Sequence, residues 1–63
     1  MKYYEVTTAF FDSGKVSAAI TDEIERASKP KTKMHSGRRA DIYRDYFATL
    51  EDAKAVVAEA EMA

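Results

Sequence analysis

Sixty-three residues with 46% apolar and 33% charged content leave room for one domain and describe a chain too apolar to stay disordered. There is no cysteine, so neither a disulfide nor a thiolate metal site is available, and no apolar run approaches the roughly 18 residues of a membrane span. The opening Met1-Lys2-Tyr3-Tyr4-Glu5 lacks the apolar stretch of a secretory signal, so the expectation is a small cytoplasmic domain. A chain this short buries only about 60% of its unfolded surface, which favours a homo-oligomer.

Residues 2–11 alternate, with Tyr4, Val6, Thr8 and Phe10 on one face and Tyr3, Glu5, Thr7, Ala9 and Phe11 on the other, as a strand requires. Asp12-Ser13-Gly14 then suits a three-residue turn with Gly14 in the left-handed region, where a Cβ is penalised. That turn pairs Phe11 with Lys15, Phe10 with Val16, Thr8 with Ala18 and Val6 with Ile20, and it gathers the apolar partners on one face. A second strand over about 15–25 follows, in which Asp22 and Ile24 continue the inner parity; a short helical turn capped by Thr21 is the alternative for residues 21–27. Lys29-Pro30 ends it in either case.

Residues 28–39 form a basic segment, a loop or a poorly buried strand. Strand character returns over about 40–48, where Ile42, Arg44 and Tyr46 oppose Tyr43, Asp45 and Phe47 and parity does not choose the inner face. Thr49 caps a helix over about 50–61, with Glu51 and Asp52 at the positive end of its dipole and Leu50, Ala53, Val57 and Ala60 in a narrow apolar stripe. The expected fold is therefore α+β: a single domain over 1–63, built from a curved antiparallel sheet of three or four strands followed by one C-terminal helix. Tyr4, Phe10 and Tyr46 are expected in the core, while Tyr3 and Phe11 are candidates for a second apolar patch.

The net charge of −1 conceals a division. Lys29, Lys31, Lys33, Arg38 and Arg39 fall in a stretch without an acid, and the rest of the chain sets five basic residues against eleven acidic ones, a net of −6. Closely spaced cations suit phosphate contacts, and Tyr43 and Phe47 just downstream suit base stacking, so these seven residues form the candidate nucleic-acid-binding set. A loop that binds an acidic protein, or one that merely solvates the fold, is the competing reading. His35 is the single histidine and a poor metal ligand without companions. No serine lies in a nucleophile pattern and the carboxylate pairs are explained by capping and solvation, so the chain reads as a non-enzyme with no cofactor.

Tyr3-Tyr4-Glu5-Val6 with Phe11-Asp12-Ser13-Gly14-Lys15-Val16, and Arg38-Arg39-Ala40-Asp41-Ile42-Tyr43 with Asp45-Tyr46-Phe47 and Leu50-Glu51-Asp52-Ala53, resemble small proteins of bacterial mobile elements and prophages. The resemblance implies no catalysis; it implies an accessory role such as anti-CRISPR interference with host defence. By analogy of fold alone, strands followed by one helix resemble a transcription-coactivator fold that dimerises and binds single-stranded DNA. The leading expectation is a binding module for nucleic acid or for a host protein that handles it. The alternative is an inhibitor or adaptor whose acidic body binds a basic partner, with the basic loop serving oligomerisation.

Overall fold

The computed structural model of the protein describes residues 1–62. Four strands, β1 (Lys2–Phe11), β2 (Val16–Glu25), β3 (Lys33–Ser36) and β4 (Ala40–Phe47), precede one helix, α1 (Leu50–Met62). They form one antiparallel sheet in the order β2-β1-β4-β3, the α+β arrangement expected from the sequence.

The first hairpin follows its turn chemistry. Gly14 has φ +90°, its N–H donates to the Phe11 carbonyl at 2.9 Å, and Phe11 N–H donates to Lys15 O at 2.9 Å. The register is Phe10 with Val16, Thr8 with Ala18 and Val6 with Ile20, as the alternation requires. Between Glu5 and Val6 the register shifts, because β2 carries one extra residue, Thr21, in a bulge. The shift corrects one expectation: β2 does continue as strand through Glu25, but Asp22 pairs with Glu5 and Ile24 with Tyr3, so both leave the face of Val6 and Ile20.

The basic segment is divided. Residues 26–32 cross from the β2 side of the sheet to the β3 side, and Lys33–Ser36 pair with β4. The crossover is tied to the start of β1, where Arg26 N–H donates to Met1 O at 2.9 Å and the N-terminal ammonium donates to Arg26 O at 2.9 Å.

α1 begins at its expected cap: Thr49 Oγ1 accepts from Asp52 N–H at 3.2 Å. The helix lies chiefly over β2 and β1, on the face of Val6 and Thr8. Val6 of β1 and Ala53 of α1 are both 0% exposed. The Cα envelope is 37 × 22 × 13 Å, a slab one sheet and one helix thick, so the core is thin.

The aromatic residues sort differently from expectation. Tyr46 is buried, at 3% exposure, but so is Tyr3 at 5%, whereas Phe10 is 46% exposed and Tyr4 half-buried. Phe10 shares the helix face but lies beyond the strip that α1 covers. Tyr3 lies at the end of the sheet crossed by residues 26–32, where its hydroxyl meets Met1 Sδ at 3.7 Å.

Candidate nucleic-acid interface

Register settles which side chains of β4 share a face. Tyr43, Asp45 and Phe47 pair with Thr8, Val6 and Tyr4 on the helix side, whereas Ile42, Arg44 and Tyr46 pair with Ala9, Thr7 and Glu5 on the side that α1 leaves open. β3 adds Lys33 opposite Arg44 and His35 opposite Ile42 to this open face, and it places Met34 and Ser36 on the helix side.

The seven residues singled out by sequence are therefore not one surface. Lys33 lies on the open face, and Arg38 and Arg39 lie in the adjoining β3–β4 turn. That turn meets the β1–β2 turn through Asp12 N–H donating to Arg39 O at 2.9 Å, and Phe11, Asp12, Ser13 and Arg39 line a notch between them. Tyr43 and Phe47 are on the other side of the sheet. Tyr43 packs edge-on against Phe10, with ring centroids 5.5 Å apart at 87°, and the Phe47 ring lies under Lys29, whose Nζ is 5.8 Å from its centroid. Lys31 is exposed on the crossover. Neither aromatic joins Lys33 and the turn arginines in a shared stacking platform.

Three residues outside that set belong with the cations. Arg44 faces Lys33 across the ladder, His35 is two residues along on the same face, and Phe11, exposed at the end of β1, pairs with Ala40 beside the arginine turn. The alternation of Arg44 with Tyr43 and Asp45 was the available signal; it needed the partner strand to say which face was open.

Glu5 and, opposite it on β2, Asp22 put carboxylates on the open face, and Glu5 is already engaged. Glu5 Oε1 accepts from Thr21 Oγ1 at 2.7 Å and Oε2 accepts from Tyr46 Oη at 2.9 Å, while Thr21 and Thr7 hydroxyls lie 2.8 Å apart. The Thr21 hydrogen bond, followed by that of Tyr46 and the charges of Arg44 and Lys33, holds the Glu5 carboxyl below its usual range against the opposing effect of burial.

Among the described residues the ion pairs are Met1 ammonium to Glu25 at 3.6 Å and Lys2 to Glu23 at 3.1 Å, both at the far end of β1 and β2. Lys33, Arg38, Arg39 and Arg44 take part in neither. The described residues include no group of three or more His, Asp or Glu side chains arranged to hold a metal, and no helix is long and apolar enough to cross a membrane. Comparison with protein-family models, curated proteins and solved structures finds no match.

Proposed function

We propose that the protein is a non-enzymatic module that binds single-stranded nucleic acid on the open face of its sheet. The supporting observation is the Lys33–Arg44 pair. Two cations directly opposite on one face repel each other, and an anion bridging them relieves that cost. Arg38 and Arg39 extend the positive field along the adjoining turn, and exposed Phe11 offers a ring for one base beside it. A duplex is the weaker fit. The helix carries Glu51, Asp52, Glu59 and Glu61 against Lys54 alone, so it would meet a major groove with the wrong charge.

The resemblance to mobile-element proteins supports an accessory, anti-defence setting for this binding. The thin core and the exposed Phe11, Ile20 and Leu50 support self-association, which sedimentation reads as a mass above 7.1 kDa.

Fluorescence anisotropy of a labelled oligonucleotide across a salt series tests the reading. Affinity for single strands falls with salt at a slope near −0.7 per phosphate contact, and Lys33→Ala with Arg44→Ala flattens it by about one to two units. A wild-type protein that leaves the oligonucleotide free at low salt would overturn it.

A further inference from the structure

The helix side carries a second surface of opposite character. Between the C-terminal half of α1 and β4 lies an open groove of ≈ 610 Å³. Phe10, Tyr43 and Val56 provide apolar lining, and its charged lining residues, Asp41, Asp45 and Glu59, are all acids. In a chain with nearly equal numbers of acids and cations this is a marked separation, since Arg44 lies on the reverse of β4, with Lys33 and His35 of the neighbouring β3 on that same face.

The acids are held in place. Ser36 Oγ donates to Asp41 Oδ1 at 2.6 Å, and Thr32 Oγ1 donates to Asp45 Oδ1 at 2.8 Å, each contact engaging one oxygen of its carboxylate. On β4 the sequence Asp41, Tyr43, Asp45 presents acid, ring and acid on one face at intervals of about 6.6 Å, two residues of strand each.

We infer that this groove binds an extended basic segment of a partner protein, with two cations flanking one apolar side chain at alternate positions. Such a segment, running along β4, has the same 6.6 Å spacing, to within about 0.5 Å, as the row it meets. Its apolar side chain covers Tyr43 and Phe10 while its cations reach Asp41 and Asp45, with Glu59 on the opposite wall. Two copies of the chain placed groove to groove would bring these acids together, so charge favours a basic partner over that symmetric pairing. The inference is independent of nucleic-acid binding and uses the other side of the sheet.

The test is anisotropy of a fluorescein-labelled peptide with a Lys-Ser-Leu-Ser-Lys core, titrated with the full chain at low salt. Controls are an isomer with adjacent lysines and a peptide with glutamates in place of the lysines. Asp41→Asn with Asp45→Asn, which keeps a carbonyl acceptor for Ser36 and Thr32, should weaken binding about ten-fold. Asp22→Asn with Glu51→Gln, the same charge change outside the groove, should leave it unchanged. Equal losses in the two double variants, or no preference for the alternating peptide, would mean diffuse attraction and would overturn the inference. So would a wild-type protein that binds no peptide, or a groove variant whose sedimentation shows that a second copy had occupied the site. Oligonucleotide affinity, measured alongside, reports on the other face separately.

Discussion

The phenol of Tyr46 donates to Glu5 Oε2 at 2.9 Å across the β1–β4 ladder, and the other Glu5 oxygen receives Thr21 of β2. One carboxylate thus ties together three strands on the side of the sheet that has no helix. Burial first, then the hydrogen bond to Glu5 and the Glu5 charge, raise the Tyr46 phenol above its ordinary value, while the same hydrogen bond helps to lower Glu5.

Stability should therefore have two pH limbs. A depressed Glu5 contributes fully above the ordinary carboxyl value of about 4.3, and the contribution is lost as pH falls through the lowered one. A raised Tyr46 contributes below about 10, and that contribution is lost as pH rises through its folded value. Urea midpoints measured across pH should show Glu5→Gln with a flatter acid limb. Tyr46→Phe should lose the alkaline limb and cost about 1–2 kcal/mol at neutral pH, since it leaves a carboxylate oxygen without its donor.

Gly14→Val should cost about 1–3 kcal/mol. Nothing lies within 4 Å of a Cβ added there, so the penalty comes from backbone strain at φ +90° and not from crowding. Gly14→Asn, which tolerates positive φ, should recover much of it; equal midpoints for the Val and Asn variants would remove the strain explanation.

At the helix–sheet contact, Ala53→Leu should destabilise by about 1–3 kcal/mol by overpacking, and Val6→Ala by about 2 kcal/mol through lost burial and a cavity. Both sites are fully buried, so neither change has solvent to expand into. Thermal melts of the two single variants check each loss.

Arg38→Ala with Arg39→Ala should leave the fold intact, because the tie between the two turns uses the Arg39 backbone carbonyl and not its side chain. The salt slope of oligonucleotide binding should flatten by about one to two units while the denaturation midpoint stays within about 0.5 kcal/mol of the wild type. A drop in midpoint or in sedimenting mass would instead identify these arginines as a structural or intersubunit tether.

The first hairpin was legible because two independent cues, Gly14 after Asp12-Ser13 and the period of two in both strands, specify the same register. Thr49 and the apolar stripe after it fixed the start of α1 in the same way. Parity stops short of two things. It says which residues share a face but not which face the helix covers or how far along it reaches, so Tyr3 and Phe10 exchange their expected places and Tyr43 separates from Lys33. Nor does it register an inserted residue: Thr21 carries no glycine or other local marker, yet it turns Ile24 to the other side. The short strand Lys33–Ser36 is exposed along its length and has no apolar period to reveal it; it is defined by pairing with β4.

The bulge at Thr21 has a further effect, on what one copy of the chain offers another. β2 is an outermost strand of ten residues, long enough to template the addition of a neighbouring strand along its unpaired side. The inserted residue breaks that template into Val16–Ile20 and a remainder that bears Asp22, Glu23 and Glu25. A strand laid alongside would fall out of step at the break and then meet a row of carboxylates. The same residue that reorients Ile24 thus guards the long margin of the sheet against fibril-like stacking, and it confines any straight pairing there to five residues.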